Sequence, residues 1–220
     1  MVVRADNVRR LTAAGWASAL GHGVRRLVDL RFEGEQRGEP APPDGVEIVG
    51  ISLFGQHDPE VERAFDERMR DADDIARVFA SGYVKTLAES PGRVASAVAA
   101  VADADDRHGV VIHCFAGKDR TGIVSALVLG VAGVPDEIVA ADYAESDANM
   151  TSLFGSWIET AASPSELELR RRVIRAPESA MATVLAWLRG NAGGATPYLR
   201  EAGLTDEQIA RLRARLVEHP

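Results

Sequence analysis

The chain has 220 residues, of which 46% are hydrophobic and 26% charged, a balance typical of a soluble globular protein that folds as one domain, residues 1–220. Its net charge of -8 argues against a general nucleic-acid binder, because such proteins present large basic surfaces. The only cysteine, Cys114, excludes an internal disulfide framework and a multi-cysteine metal cage, and it favours a reducing compartment.

No segment of the sequence has the length and apolarity of a membrane span. The most apolar stretch, Ile123–Val134, is too short to cross a bilayer and contains Ser125 and Gly130, so it is predicted to be a buried helix. The N-terminal residues carry several arginines and no continuous apolar core, which argues against a signal peptide. We therefore expect no stable membrane insertion and a cytoplasmic location, with secretion by an unconventional route left open.

Helices and strands alternate through the first two thirds of the chain. In chain order, the pattern predicts a helix capped by Thr12 and running to Leu20, a strand over Arg26–Leu30, a turn-rich break over Pro40–Gly45, a strand over Val46–Ile51, a loop over Phe54–Pro59, helical spacing over Val61–Phe79 and a helix over Pro91–Ala104. The charged helical stretch from Pro59 to Glu89 is either a lid or, the interpretation we favour, a solvated pair of connecting helices.

A short apolar run, Gly109–His113, predicts a buried central strand, followed by a glycine-containing loop and an apolar helix over Thr121–Ala132. From Asp136 onward the sequence predicts helices only. Capping boxes are predicted at Ser163–Glu166 and Thr205–Gln208, with a loop between two helices over Asn191–Thr196. The architecture is therefore α/β, a small sheet with a helical C-terminal portion packed on it.

The loop after this strand has the features of a phosphate site. Cys114 and Arg120 are separated by five residues and followed by Thr121. A loop of this length between a strand and a helix can turn successive backbone N–H groups inward to form an anion cradle. The residues expected to surround a phosphate are Phe115, Ala116, Gly117, Lys118, Asp119, Arg120 and Thr121.

Cys114 would lie at the bottom of the cradle and act as a nucleophile without the help of a general base. The helix N-terminus and Arg120 both stabilise a thiolate there, and the planar fork of Arg120 can bind two phosphate oxygens at once. Thr121 can donate a hydrogen bond to Cys114 in the thiophosphate intermediate. The alternative, that Cys114 is a small buried hydrophobe, is disfavoured by the glycines, arginine and threonine in register with it. His113 is interpreted as a supporting residue that hydrogen-bonds the loop.

The segment His113–Gly122 resembles the signature of the cysteine-dependent tyrosine phosphatase superfamily, in the variant of its atypical bacterial tyrosine and lipid phosphatases. Other similar segments are Val28–Arg31, like the family's DLR strand, Ala141–Tyr143 with Ser146, like its DY...S segment, and Tyr198–Leu199 with Gly203–Leu204, like its C-terminal helices. These segments occur in the family's order, and the resemblance extends over most of the chain. The resemblance implies a tyrosine phosphatase-like fold, a small, mostly parallel central sheet flanked by helices.

One feature departs from the family pattern at the N-terminus. Family members usually begin with a segment containing an N-x-R-D-x-G-G turn, whereas this sequence begins at the part that resembles Val3–Asn7. Either the start is placed late or the segment is absent. Its absence would be expected to weaken the sheet edge or open the site.

Two aspartates are candidates for protonating the leaving oxygen. Asp58 lies in a loop after a strand, where most of the superfamily carries a mobile acid; a solvated loop carboxylate is the alternative. Asp119 lies inside the phosphate loop, and the resemblance implies that it acts as the acid or aids hydrolysis of the phosphocysteine. We favour Asp119, because a proton donor must come within about 3 Å of the leaving oxygen and only Asp119 is tethered there.

Two basic residues bear on specificity. Lys118 would raise the positive potential at the rim of the site, and a similar lysine occurs in phosphoinositide phosphatases; a solvated surface cation is the alternative. Arg31 either helps to hold Asp119 or an incoming anion, or forms a structural ion pair with Asp29.

The sequence therefore predicts a phosphomonoesterase that needs no metal or cofactor. The resemblance implies phosphotyrosine as substrate, with phosphoserine and phosphothreonine as further substrates, and phosphoinositides as additional or alternative ones. Two alternatives stay open. A redox or sulfur-transfer enzyme would need a resolving cysteine that is missing, and a non-catalytic phosphate-binding module would not need both Cys114 and Arg120. The oligomeric state is not predicted.

Overall fold

The computed structural model describes residues 1–217, which contain one parallel sheet and eleven α-helices. The strands are β1 (Val2–Ala5), β2 (Val24–Asp29), β3 (Glu47–Gly50) and β4 (Gly109–His113). They lie in the order β1-β4-β2-β3, and each neighbouring pair is parallel. The predicted α/β class with a small parallel central sheet is confirmed.

Eleven helices surround the sheet. They are α1 (Ala13–Gly21), α2 (Pro59–Asp71), α3 (Ile75–Glu89), α4 (Pro91–Ala102), α5 (Asp119–Val131), α6 (Asp136–Ala144), α7 (Ser146–Glu159), α8 (Pro164–Val173), α9 (Glu178–Ala192), α10 (Ala195–Glu201) and α11 (Asp206–Leu216). Short 3-10 turns occur at Val8–Arg10 and Glu33–Gln36. The C-terminal portion is helical, as predicted.

The two faces of the sheet are covered unequally. Most of the core lies on one face, where α3, α4, α5, α6 and α9 pack together. On the other face, α1 covers a smaller cluster that includes Val24, Leu27 and Val111. All five residues of β4 are buried, because this strand lies inside the sheet and has layers on both sides. That burial explains its continuous apolar run.

Three local predictions need correction. The first strand, β1, was not predicted; its residues pair with β4, with Val2 beside Val110. The predicted helix over Val61–Phe79 is two helices, because Asp74 caps α3 by accepting a hydrogen bond from the Ala76 N–H. The capping box at Thr205 is present, whereas Glu166 bonds the N–H of Ala162 instead of completing the box at Ser163.

The helical stretch Pro59–Glu89 is not the solvated pair of helices that we favoured. The first helix, α2, is mostly exposed, but α3 is part of the core and buries six residues. One of these six, Tyr83, reaches the loop after β4. No helix within residues 1–217 is both long enough and apolar enough to cross a bilayer.

Candidate active site

The site lies at the carboxyl-terminal end of the parallel sheet. The carboxyl ends of all the strands share this edge, where open α/β sheets place their ligand sites. The loop after β4 begins there with Cys114, and the segments after β2 and β3 supply Glu35 and Phe54, which both approach Arg120. Residues distant in sequence are thus assembled by topology.

Backbone amides of the loop after β4 are free of backbone partners, as the predicted anion cradle requires. The N–H of Gly122, which donates to the Lys118 carbonyl at 2.7 Å, closes the first turn of α5. No backbone hydrogen bond from the seven preceding amides, residues 115–121, occurs among residues 1–217. Free amides at a helix N-terminus attract anions through their N–H groups and through the helix dipole.

Close packing requires two glycines here, Gly117 in the loop and Gly122 in the first turn of α5. Gly117 has φ +68°, and a Cβ atom there would lie 2.6 Å from the carbonyl oxygen of Ala5 at the end of β1. A Cβ atom on Gly122 would lie 2.8 Å from the ring of Tyr143 on α6. Any other residue would therefore push the loop away from β1 or from α6.

The predicted nucleophile is buried together with the last residue of β4 and a threonine in the first turn of α5. Cys114 is 2% exposed, in keeping with the base of a pocket. Thr121 is fully buried, and its Oγ1 has no hydrogen-bond partner within residues 1–217, so its hydroxyl remains able to donate. His113 is also buried, with Nδ1 3.4 Å from the Cys114 carbonyl oxygen. Burial lowers the pKa of His113, so it is neutral at physiological pH.

Phe115 and Ala116 form the outer part of the loop. The ring of Phe115 is 37% exposed and packs beside Phe154 of α7, with the Arg10 guanidinium 5.5 Å from its centre. Ala116 lines a neighbouring cavity of about 550 Å³ between the loop and α7. Arg4 connects two walls of this cavity, because its Nη2 donates to the Gly117 carbonyl of the loop and to the Ser146 hydroxyl of α7.

Arg120 is positioned by a carboxylate that the sequence did not single out. Its two terminal nitrogens donate to Glu35, Nη1 to Oε2 at 2.5 Å and Nη2 to Oε1 at 2.9 Å. Glu35 is itself fixed, because Oε2 also accepts from the Phe32 N–H at 2.7 Å. Although burial favours the neutral form, this ion pair raises the pKa of Arg120. The rings of Phe32 and Phe54 flank the guanidinium at 5.1 and 5.8 Å.

Asp119 is the first residue of α5 and keeps its carboxylate 31% exposed. Its Oδ1 accepts a hydrogen bond from the Tyr83 hydroxyl and lies 3.4 Å from the Lys118 ammonium. The structure therefore places Asp119 next to the cradle.

Asp58 has a different position. It is exposed at the N-terminus of α2, where its Oδ1 accepts from the Glu60 N–H at 2.9 Å and caps the helix. The carboxylate is thus a helix cap and not a simply solvated loop group. Its loop nevertheless approaches the site through Phe54 and through His57, which packs against Phe32.

Lys118 is not the solvated surface cation that was one of its two interpretations. It is 3% exposed, its Nζ donates to the carbonyls of Val173 and Arg175 at 2.7 and 2.9 Å, and it lies over the Phe79 ring. Burial lowers its pKa. With its donors directed at protein acceptors, Lys118 ties the loop to the end of α8 instead of extending from the rim of the site.

Arg31 forms the structural ion pair, and the anion-binding interpretation is wrong. Its side chain is completely buried, and its five N–H groups are engaged by Asp29, Glu39 and the Glu35 carbonyl. No donor is left for Asp119 or an incoming phosphate. By bonding the Glu35 backbone, Arg31 instead supports the turn that carries the partner of Arg120.

Acid is expected to weaken this buried network. Hydrogen bonding to Arg31, opposed by burial, lowers the pKa of Glu39 from 4.5 to about 2. A depressed folded-state pKa gives stability that is present above pH 4.5 and lost as the pH falls toward 2. We expect urea unfolding to show about 2 kcal/mol of this loss between pH 6 and pH 3. The Glu39→Gln variant should show a correspondingly shallower fall, and equal slopes for both proteins would contradict the assignment.

Sequence reasoning missed Glu35, Tyr83 and Arg4. Each is an ordinary polar residue in its local segment, and each reaches the loop over a long sequence separation. For metals, no group of three or more histidine, cysteine, aspartate or glutamate side chains in residues 1–217 could hold an ion. The arrangement thus consists of a buried thiol, a loop whose amides lack backbone partners within residues 1–217, a fixed guanidinium and a partly exposed carboxylate.

Comparison with known proteins gives consistent matches over nearly the whole chain. A family model described as the tyrosine phosphatase family matches residues 1–218. A tyrosine-protein phosphatase of Nostoc commune is 29% identical over 226 residues, covering 97% of this chain and 73% of the relative. The triple specificity protein phosphatase PtpB of Mycobacterium tuberculosis is 25% identical over 250 residues, covering 97% of this chain and 90% of the relative.

Proposed function

The chain belongs to the tyrosine phosphatase family, whose model spans residues 1–218, and we propose that it hydrolyses phosphotyrosine monoesters through a phosphocysteine on Cys114. The observation that carries this proposal is the loop that follows Cys114: the amides of residues 115–121, Arg120 among them, donate no backbone hydrogen bond within residues 1–217. This arrangement binds three equatorial phosphate oxygens while a thiolate attacks phosphorus in line.

The reaction then takes two steps. In the first, the sulfur of Cys114 forms a bond to phosphorus, the bond to the ester oxygen breaks, and Asp119 gives its proton to the departing oxygen. In the second, a water oxygen attacks phosphorus, Asp119 takes a proton from that water, and the sulfur–phosphorus bond breaks to release phosphate. The buried Thr121 hydroxyl, which has no partner within residues 1–217, is suited to stabilise the sulfur as it leaves.

The proposed substrates extend beyond phosphotyrosine. The relative named a triple specificity phosphatase favours testing phosphoserine and phosphothreonine beside phosphotyrosine. Phosphoinositides were suggested by Lys118, but its burial on two carbonyls removes that reason. A redox enzyme is disfavoured because the chain has no second cysteine, and a pure binding module because both Cys114 and Arg120 are retained.

The test is hydrolysis of a phosphotyrosine peptide in excess EDTA, with vanadate as a competitive probe. We expect turnover that resists EDTA and is inhibited by vanadate. Phosphoserine peptides and phosphoinositide vesicles in the same assay define the range. Turnover lost in EDTA would contradict the cysteine mechanism, and vanadate binding without any turnover would indicate a binding module.

The assignment of the proton donor predicts unequal effects of two aspartate variants. With phenyl phosphate, whose leaving group is a poor one, Asp119→Asn should lower kcat by about 10²- to 10³-fold and remove the alkaline limb of the pH profile. Asp58→Asn should leave kcat within about twofold, because Asp58 caps α2. With p-nitrophenyl phosphate, a better leaving group, the Asp119→Asn loss should shrink. The reverse ranking of the two variants would assign the proton transfer to Asp58.

A further inference from the structure

Two buried tyrosines connect the core to Asp119. Tyr83 of α3 is 4% exposed and Tyr143 of α6 is 1% exposed. Their hydroxyl oxygens are 2.8 Å apart, and the Tyr83 hydroxyl also contacts Oδ1 of Asp119. The rings meet edge to face, with centres 6.1 Å apart. Neither tyrosine was assigned a part in the phosphate site by the sequence.

The direction of these hydrogen bonds follows from their chemistry. A carboxylate only accepts, so the single proton of the Tyr83 hydroxyl is donated to Asp119. The Tyr83 oxygen then accepts from Tyr143, which gives a chain that runs from Tyr143 through Tyr83 to Asp119. Burial, reinforced by the charge of Asp119, raises the pKa of Tyr83 well above its ordinary value, so the donor keeps its proton. Each bond in such a chain polarises the next.

Other charges surround Asp119 on several elements. Lys118 and Arg120 act on Asp119 directly, whereas Cys114, Asp147 of α7 and Arg4 of β1 act on its neighbours Lys118 and Tyr143. Lys118 bonds two carbonyls, Arg120 bonds Glu35, and Asp147 bonds Arg175, so these charged groups have nearer partners. Tyr83 is the neutral donor directed at Oδ1. Within residues 1–217, Oδ2 accepts no side-chain hydrogen bond and stays available for the proton that is transferred.

We propose that Tyr83 is a positioning residue that orients Asp119 and strengthens it as the proton donor, with Tyr143 supporting it from behind. The inference rests on the proposed function and deepens it. As Oδ2 gives its proton to the leaving oxygen, negative charge develops on the carboxylate, and the hydrogen bond from Tyr83 to Oδ1 becomes stronger. A bond that is stronger in the transition state than before it raises kcat and leaves KM unchanged.

The test is the pH profile of kcat/KM with phenyl phosphate for wild type and Tyr83→Phe. A proton donor must be protonated, so its ionisation sets the alkaline limb. Removing a donor to the charged form makes the carboxyl hold its proton more tightly, and the limb should move up by about one pH unit. At the optimum pH, kcat should fall by about 10-fold with KM within twofold. The loss should be smaller with p-nitrophenyl phosphate.

Tyr198→Phe is the matched control. Tyr198 is another buried tyrosine, and its hydroxyl donates to the Leu87 carbonyl of α3 at 2.8 Å, on the same helix that carries Tyr83. This variant loses one buried hydrogen bond without touching Asp119, so its pH limb should match that of wild type. A limb that moves equally in Tyr198→Phe and Tyr83→Phe would overturn the proposal, because the effect would then come from a loosened helix.

A double-mutant cycle separates positioning from structure. In the Asp119→Asn background, Tyr83→Phe should cost less than twofold in kcat, since there is no proton donor left to orient. The full 10-fold loss in that background would overturn the proposal. If Tyr83→Phe fails to fold, Tyr143→Phe replaces it. We then expect a smaller upward shift of the alkaline limb, and an unchanged limb would overturn the proposal. If the wild type is active but the alkaline limb of Tyr83→Phe matches that of wild type, this inference alone is refuted. If the wild type is inactive, the proposed function is refuted and this inference with it.

Discussion

Cys114→Ser is expected to lower the hydrolysis of p-nitrophenyl phosphate by at least about 10⁴-fold, because a serine hydroxyl has no base beside it to activate it. The reactivity of the Cys114 thiol depends on its surroundings, because the amides of residues 115–121 and the guanidinium of Arg120 favour negative charge there. The amides and Arg120 are unchanged in the variant. Vanadate or tungstate binding, measured by calorimetry, should therefore stay within about 10-fold of wild type.

Because the chain has a single cysteine, any thiol modification can be assigned to Cys114. One equivalent of iodoacetate should inactivate the wild type, vanadate should protect it, and no other thiol in the chain can contribute. Rapid quenching with a labelled substrate should trap acid-labile phosphate on the wild type and none on Cys114→Ser. Turnover retained in Cys114→Ser would show that the loop only binds phosphate for another nucleophile.

The sequence was most informative where local pattern and site coincide. The strand Gly109–His113 is observed with the predicted bounds, because a continuous apolar run suits a strand buried on both sides. The helix after it begins at Asp119, two residues before the predicted Thr121. That earlier start places the amides of residues 119–121 in the first helical turn, where amides lack helical partners.

Long-range contacts could not be predicted in the same way. The four residues of β1 include Arg4 and lack a strong strand signal, and pairing with β4 is what makes them a strand. Glu35 lies in a segment for which the sequence predicted no element, and Tyr83 lies in the predicted connecting helices. Only the parallel topology brings both to the loop. For Lys118, charge alone suggested an exposed cation, whereas the fold buries its side chain over Phe79.

Arg120 is expected to be as sensitive to shape as to charge. Arg120→Lys should lower kcat/KM by about 10³-fold, because a lysine keeps the charge but loses the planar fork. In the structure the two terminal nitrogens face Glu35, which leaves the edge formed by Nε and one terminal nitrogen for phosphate. The fork can therefore hold a carboxylate on one edge and a phosphate on the other, and a single ammonium cannot do both.

The Glu35 variants show whether that carboxylate is an anchor or a competitor. If Glu35 holds Arg120 in place, Glu35→Gln should lower kcat/KM by about 10-fold, and Glu33→Gln, in the same turn but exposed, should have no effect. A rise in kcat/KM for Glu35→Gln would mean that the carboxylate occupies the arginine against the substrate. We expect the loss, because the Phe32 N–H holds Glu35 Oε2 and Arg31 holds the Glu35 carbonyl, so the carboxylate is fixed from its own side of the pair. A group built only to be displaced would not need both supports.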